Sequence, residues 1–161
     1  MKLYTFFRSS AAYRVRIAMN LKGLSYDSAF ISLPKNEQRQ PDYLKVNPQG
    51  RVPSFDLGGT ILIQSPAILE YLEETHPEPP LLPRDPLTRA KIRAVGAVIG
   101  CDIHPLNNSG TLAYLKGRMG QDEASVNAVI EQCRAGPPLA EVTGVQVELV
   151  DTAGSTVFSV H

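Results

Sequence analysis

The sequence predicts an α/β domain at the start of the chain and a helical domain after it. Short apolar runs alternate with helical patterns up to residue 76, in the order strand, helix, strand, helix, strand, strand, helix. A proline-rich stretch over 76–86 interrupts this pattern, and mainly helical spacing follows. We expect the first domain to span residues 1–80 and the helical domain residues 87–133.

The first three elements form a predicted βαβ unit. The apolar run over 3–7 is typical of a buried strand, and apolar residues share one face of a helix over 11–22. A second strand over 26–33 follows, and a βαβ unit favours two parallel strands. Ser9 and Ser10 lie between strand and helix, and either can be the N-cap.

A short helix and a hairpin come next. The helix over 41–46 begins with a proline, as first turns allow. Pro53 stands where a third strand begins, a position that does not require an N–H donor. Gly58 and Gly59 supply the positive φ angles of a hairpin that returns as a strand over 60–63.

Ser65 is a candidate N-cap of the last helix of this domain, with a proline in its first turn. In a βαβαββα domain, this helix start and the one at Ser9 and Ser10 can share an edge with the turn at Val52 and Pro53. Helix N-termini attract anions. We therefore expect this edge to suit an extended, peptide-like ligand that carries a carboxylate and a thiolate.

The helical domain contains three predicted helices, one from residue 87 to about 108, one ending at Gly120 and one over 122–133. The tail over 134–161 differs from them. Its two alternating segments, 145–150 and 155–160, predict either a small hairpin or a poorly packed tail.

Composition excludes several function classes. Lys and Arg number 16, as do Asp and Glu, so the zero net charge argues against nucleic acid or an anionic membrane as the main partner. No apolar run of about 18 residues is present, and no signal peptide pattern opens the chain. Two cysteines and three scattered histidines indicate no disulfide framework and no metal site. A cytoplasmic protein is the expectation.

Four segments of the sequence, in order, form a recognisable set. They are FRSSAAYRVRIA at 7–18, NPQGRVP at 47–53, IQSPAILEYLEE at 63–74 and CDIHPLNN at 101–108. Together they resemble the zeta class of glutathione transferases, which includes maleylacetoacetate isomerase and bacterial maleylpyruvate isomerases. The resemblance runs from Met1 to about Gln132. It implies a thioredoxin-like first domain followed by an all-α glutathione-transferase domain, which is incomplete here.

The resemblance implies glutathione as cofactor and assigns roles to matching positions. Ser9 would hydrogen-bond the glutathione sulfur, and Ser10 would add an N–H donor that helps to lower the thiol pKa. Val52, before a Pro53 that the family implies is cis, would pair its backbone with the cysteinyl part.

The remaining implied contacts come from two places. Gln64 and Ser65 would hold the γ-glutamyl carboxylate. His104 and Asn108, from the helical domain, would close the site near the glycyl end or the substrate. Without the resemblance, Gln64 reads as a polar strand end and His104 as a helix-bend residue.

Arg8 and Arg14 would attract the substrate carboxylates, and the expected catalytic residues are Ser9, Ser10 and Arg14. Arg14 can also be an ordinary solvated charge on a helix. The resemblance implies a homodimeric, glutathione-dependent cis–trans isomerase that acts on maleylacetoacetate or a similar cis-unsaturated diacid. The alternatives are a general glutathione transferase or peroxidase, and a glutathione-binding module without activity.

The chain departs from the family pattern at three places. Ala11 stands where many members have Cys, and Ser109-Gly110-Thr111 stands where relatives often carry an Arg. The family's tryptophan-containing helices do not follow, and nothing after about Arg134 resembles them. We expect a truncated or frame-altered reading frame.

Overall fold

The computed structural model describes residues 1–106, 108–135, 145–148 and 157–160. The chain divides into two units, Met1–Asp85 and Pro86–His161, which are described separately below.

The first unit follows the predicted order of elements, which confirms the βαβαββα reading. A single 3₁₀ turn, Glu37–Arg39, is added before the second helix. The elements are β1 (Lys2–Thr5), α1 (Ser10–Leu21), β2 (Asp27–Phe30), α2 (Pro41–Val46), β3 (Ser54–Asp56), β4 (Ile61–Ile63) and α3 (Ser65–Thr75).

The four strands form one sheet in the order β2-β1-β3-β4. Strand β1 runs parallel to β2, with Lys2 opposite Asp27, as the βαβ unit requires. Strand β3 is antiparallel to both of its neighbours. This is the thioredoxin-like α/β arrangement that we expected for the first part of the chain.

The core lies between one face of the sheet and the helices α1 and α3. Leu3 and Phe55 point from paired positions of β1 and β3 into this core. Tyr4, the next residue of β1, packs its ring against Tyr43 of α2 at 5.7 Å between centroids. Because side chains alternate along a strand, α2 covers the opposite face of the sheet. The helical core residues are Val15, Ala18, Met19, Ile68 and Leu72.

Two strands are shorter than the sequence predicted. Strand β1 ends at Thr5, and Phe7 is 65% exposed in the turn that leads to α1. Strand β2 covers only Asp27–Phe30, at the edge of the sheet. The last hydrogen bond to β1 runs from the N–H of Ile31 to the carbonyl of Thr5 at 2.9 Å, where β1 also ends. The next N–H, that of Ser32, donates to the carboxylate of Glu37 at 2.6 Å.

A buried ion pair fixes the start of the proline-rich linker. Lys22 Nζ lies 2.7 Å from Glu73 Oε2, and the Lys22 side chain is fully buried. Lys22 also donates to the carbonyls of His76 and Pro79, at 2.6 and 3.0 Å. The Glu73 carboxylate accepts from the backbone N–H of Leu81. The linker is therefore held against the ends of α1 and α3.

The second unit is helical, as predicted, although its first helix is interrupted. A π-helical stretch, Val98–Ile103, follows α4, and Asn108 precedes α6 instead of lying inside a helix. None of the described helices is both long and apolar enough to span a membrane. The helices are α4 (Pro86–Ala97), α5 (His104–Leu106), α6 (Ser109–Gly117) and α7 (Glu123–Ala135).

Two strands near the end of the chain, β5 (Val145–Glu148) and β6 (Val157–Val160), form an antiparallel pair. Of the two readings of the tail, the hairpin pairing is the one confirmed. The turn predicted between these strands lies outside the described residues.

Candidate functional site

Ser9 is the N-cap of α1, which decides between the two hydroxyls. Its φ and ψ of −78° and 113° are extended, and its Oγ accepts from the N–H of Ala12 at 3.2 Å. Ser10 is the first residue of the helix and is exposed. The first turn of α1 carries no acidic residue. The start of α1 therefore keeps the positive potential of its N–H groups.

The basic residues around this turn have different surroundings. Arg16 donates to the carbonyl of Phe7 at 3.0 Å, and its guanidinium lies 5.1 Å from the centroid of the Tyr13 ring. Arg8 is exposed in the turn, and Arg14 is half-buried on α1. Arg16 is thus fixed by its contacts, and the roles of Arg8 and Arg14 stay predictions.

The Val52–Pro53 peptide bond is cis, as the resemblance implied. The Val52 side chain is buried. Among the residues that the structure describes, neither the N–H nor the C=O of Val52 takes part in a hydrogen bond. Backbone groups of this kind require partners. An extended ligand can supply both.

A buried polar network lies behind this turn. The hydroxyl of Tyr43 and the amide nitrogen of Asn47 both donate to the carbonyl of Arg51, at 2.6 and 2.8 Å. Both also contact Ser54 Oγ, at 2.9 and 3.1 Å. Burial raises the pKa of Tyr43, and the hydrogen bonds to Ser54 and Asn47 oppose that effect without cancelling it. Tyr43 therefore keeps its proton at neutral pH.

The start of α3 corrects one expectation. Ser65 is not the N-cap, since it is the first helical residue, and the N-cap is Gln64. The carbonyl of Gln64 accepts the helical hydrogen bond from Ile68 at 3.0 Å. Gln64 has a φ of 70°, which a residue with a side chain rarely adopts and which costs about 1–3 kcal/mol. Such strain is concentrated at functional sites.

Gln49 was not among the expected site residues, yet it joins two of the segments. Gln64 Nε2 donates to Gln49 Oε1 at 2.8 Å, and the N–H of Gln49 donates to Asn47 Oδ1 at 3.0 Å. Gln49 lies inside segment 47–53, one of the four segments on which the resemblance was based. Its hydrogen bond to Gln64 was not predicted, because sequence periodicity gives no signal for a contact between residues 15 positions apart.

The sheet register places the predicted segments at one edge. Tyr4 pairs with Ser54, and Ser54 pairs with Ile63. The end of β1, the start of β3 and the end of β4 are therefore side by side. The segments that carry Ser9, Val52 and Gln64 continue from these strand ends, so all three segments begin at the same end of the sheet.

His104 and Asn108 belong to the second unit. Asn108 caps α6, because its Oδ1 accepts from the N–H of Gly110 at 2.9 Å. His104 is the first residue of α5. Their roles in ligand binding stay predictions. Among the described residues, no group of His, Cys, Asp or Glu side chains is placed to hold a metal ion.

Comparison with known proteins agrees with this geometry. Residues 1–74 match the family of the glutathione S-transferase N-terminal domain. The maleylacetoacetate isomerase of Pseudomonas aeruginosa is 56% identical over 129 residues, which are 78% of this chain and 60% of that protein. The maleylpyruvate isomerase of a Ralstonia species is 50% identical over 128 residues, 80% of this chain and 60% of the relative.

Solved structures give the same relationship. A zeta-class maleylpyruvate isomerase, described as a holo structure, superposes with a TM-score of 0.78 at 49% identity over 81% of this chain and 61% of its own. A maleylacetoacetate isomerase of Methylobacterium extorquens AM1, with bound malonate and GSH, has a TM-score of 0.79 at 43% identity over 83% and 63%.

The chain spans about 60% of the length of these curated relatives. The matched part contains all of the segments that form the edge described above. Residues 1–74 therefore carry a glutathione S-transferase N-terminal domain, and about 80% of the chain is similar to maleylacetoacetate and maleylpyruvate isomerases, one of which is described as zeta class.

Proposed function

We propose that the first unit binds glutathione along the edge formed by Ser9, Val52 and Gln64. The observation that supports this most is the combination of three features at one edge. They are a capped helix start, a strained residue before α3, and the backbone N–H and C=O of Val52, which form no hydrogen bond within the part of the chain that the structure describes. Each feature suits a different part of an extended thiol peptide.

Each residue of the site would contact a different part of glutathione. Ser9 and the N–H groups that begin α1, at Ser10, would stabilise the thiolate. Val52, held before the cis Pro53, would pair with the cysteinyl backbone. Ser65 is buried at the first position of α3, where a carboxylate is favoured.

Gln64, held by Gln49, would contact the γ-glutamyl end together with Ser65. The resemblance also assigns His104 and Asn108 to the glycyl end or the substrate, and that assignment stays a prediction.

The proposed reaction is the cis–trans isomerisation of maleylacetoacetate or a similar cis-unsaturated diacid. The relatives at 56% and 50% identity are a maleylacetoacetate isomerase and a maleylpyruvate isomerase, which supports this reaction class. Glutathione held by Ser9 and the start of α1 would supply a thiolate for addition to one carbon of the cis double bond, which leaves a single bond free to rotate, and for later expulsion, which restores the double bond in the trans form. The chain's own task is to keep sulfur ionised through Ser9 and Ser10 and to orient the carboxylates through Arg8 and Arg14.

A general glutathione transferase is the second candidate. A relative from Euphorbia esula, 43% identical over 123 residues, is named only as a zeta-class glutathione S-transferase. A binding module without activity is the third candidate, because the chain spans about 60% of its relatives. Isomerase activity that requires glutathione separates the first candidate from both. Conjugation of small electrophiles without isomerisation favours the second.

The proposal also includes a cytoplasmic homodimer, with a glutathione-binding domain over 1–80, a helical domain over 87–133 and an additional tail over 134–161. Light scattering coupled to size exclusion tests the dimer, and cell fractionation tests the location.

The test is an isomerase assay on the full chain with glutathione present and absent. We expect activity only with glutathione, and a loss on the order of 100-fold for Ser9→Ala, as for the loss of one oxyanion donor. Because Ser9 also caps α1, that variant loses about 1 kcal/mol of stability, so the assay must be run well below its melting temperature.

Ser28→Ala is the matched control, since Ser28 is an exposed serine on the edge strand β2. It should retain full turnover. Equal turnover of Ser9→Ala and the wild type would remove Ser9 from the mechanism.

A further inference from the structure

We propose that Tyr43, Asn47 and Ser54 form a positioning group that fixes the Arg51–Val52 peptide so that the Val52 N–H faces the ligand. This inference rests on the proposed glutathione site. It adds three residues that would not touch glutathione and would act on it through one peptide group.

The carbonyl of Arg51 is saturated from the inside of the protein. Tyr43 Oη donates to it at 2.6 Å, and Asn47 Nδ2 donates at 2.8 Å. A carbonyl oxygen has two lone pairs, so these donors occupy both. Tyr43 and Asn47 are 5% and 1% exposed, so water does not replace either donor.

Ser54 holds the two donors together. Its Oγ lies 2.9 Å from the Tyr43 hydroxyl and 3.1 Å from Asn47 Nδ2, and Ser54 is fully buried. Asn47 is oriented further by its Oδ1, which accepts from the N–H of Gln49 at 3.0 Å. The direction of each donor is therefore determined by more than one contact.

Fixing this carbonyl determines the direction of the next N–H. The Arg51–Val52 bond is trans, because the cis bonds of the described chain are Val52–Pro53 and Glu78–Pro79. In a trans peptide the C=O and the N–H point in opposite directions. With the Arg51 carbonyl directed at Tyr43 and Asn47, the Val52 N–H points away from them, and it forms no hydrogen bond among the described residues.

A flipped peptide would break the site. The carbonyl of Arg51 would then face the ligand, and the buried donors of Tyr43 and Asn47 would lose their acceptor. Leaving buried donors unpaired is unfavourable, so the network holds the peptide in one orientation. We infer that this preorganisation keeps the Val52 N–H available to the cysteinyl carbonyl of glutathione.

The test is a double-mutant cycle between the Tyr43 hydroxyl and the cysteinyl carbonyl of the ligand. Binding affinities are measured by calorimetry on the full chain. The ligands are glutathione and an analogue whose cysteinyl carbonyl is reduced to a methylene, so that it cannot accept from Val52. We expect Tyr43→Phe to weaken glutathione binding about five-fold, the range of one hydrogen bond. The same change should leave the affinity of the analogue unaltered.

Tyr4→Phe is the matched control. Tyr4 is the other member of the ring pair with Tyr43, and its loss of a hydroxyl leaves both hydrogen bonds to Arg51 in place. It should bind both ligands as the wild type does. Ser54→Ala gives a second variant in case Tyr43→Phe folds poorly. Ser54→Ala keeps both donors to Arg51 but removes the contact that orients them. We expect it to lower the affinity for glutathione less than Tyr43→Phe does, and to leave the affinity for the analogue unchanged.

The outcomes separate this inference from the proposed function. Suppose that the wild type binds glutathione and that Tyr43→Phe lowers the affinity for both ligands equally, or for neither. Then the positioning role of Tyr43, Asn47 and Ser54 is wrong, and the proposed glutathione site still stands. If the wild type binds no glutathione at all, the proposed function fails and this inference fails with it.

Discussion

The two units of the chain differ in how they bury their apolar residues. In the first unit, two helices and the sheet enclose a continuous core, from Leu3 to Leu72. In the second unit, Val126 is the one buried apolar side chain among those that the structure describes. Helical spacing predicted helices in both units, with an interruption missed in the second, but it did not reveal which helix faces are covered. Apolar side chains exposed in the second unit include Leu87, Val98, Ile99, Leu106, Tyr114 and Met119.

The largest expected effect concerns the ion pair that fixes the linker to the first unit. Lys22→Met leaves the Glu73 carboxylate buried without its cation, and breaking such a pair costs about 3–5 kcal/mol. The measurement is the free energy of unfolding of the first unit in urea, with hydrogen exchange of its backbone amides as the readout. Lys45→Met is the control, because Lys45 pairs with Asp42 at an exposed site where ion pairs contribute little.

If the two lysine substitutions change stability equally, the buried pair does not hold the linker as described. A compensating gain in Lys22→Met together with Glu73→Leu would agree with the account, since replacing both partners removes the unpaired charge.

A pair of buried valines compares the units directly. Val15 on α1 is fully buried and Val126 on α7 is 2% exposed. Val15→Ala should cost about 2 kcal/mol, because the methyl groups leave a cavity in a packed core. Val126→Ala should cost less stability. Few side chains of the second unit are buried, so they can move more easily into the space that the methyl groups leave. Hydrogen exchange resolves the two units, and equal losses would contradict the difference in packing.

The cap of α6 should have a smaller effect, confined to the second unit. Asn108→Ala removes the acceptor for the N–H of Gly110, and such caps contribute about 1 kcal/mol. Asn108→Asp should restore most of that stability. Asn127→Ala, at an exposed position inside α7, is the control and should leave α6 unaffected. Loss of protection in α1 instead of α6 would count against two separate units.

The smallest expected effect is a pH dependence. Burial raises the pKa of Glu73, but hydrogen bonds from Lys22 and from the backbone of Leu81 and Leu82 outweigh it, so the pKa lies below 4.5. A carboxyl with a lowered pKa stabilises the fold above its unfolded value, and this contribution is lost as the pH falls through the folded value.

The measurement is the free energy of unfolding of the wild type minus that of Glu73→Gln, as a function of pH. The difference should be constant at neutral pH and should shrink below about 4.5. The subtraction is needed because Asp56 and Asp122 also have lowered pKa values, through hydrogen bonds from backbone N–H groups. A difference that does not change with pH would mean that Glu73 titrates normally.

Local patterns predicted much of the fold. Spacing gave the order of elements in the first unit, and the hydroxyl turn identified Ser9 as one of two possible caps. Gly58 and Gly59 have the positive φ angles that their hairpin required. These features depend on residues close together in the sequence, so periodicity and turn chemistry were sufficient.

Long-range polar contacts could not be predicted in the same way. The hydrogen bond between Gln49 and Gln64 and the pair of Lys22 and Glu73 join residues far apart in the chain. The N-cap of α3 is Gln64 and not Ser65, although serine is favoured at the N-cap and proline in the first turn of a helix. Its φ of 70° is set by the surrounding fold and carries no local signal.

In the proposed site, Ser9 keeps the sulfur of glutathione ionised as a thiolate. The most direct measurement is the pKa of the glutathione thiol bound to the full chain, followed by the ultraviolet absorbance of the thiolate. We expect a pKa well below the free value of about 8.5, and a return towards that value in Ser9→Ala. A bound thiol that titrates as it does in free solution, in both the wild type and Ser9→Ala, would show that Ser9 does not stabilise the thiolate.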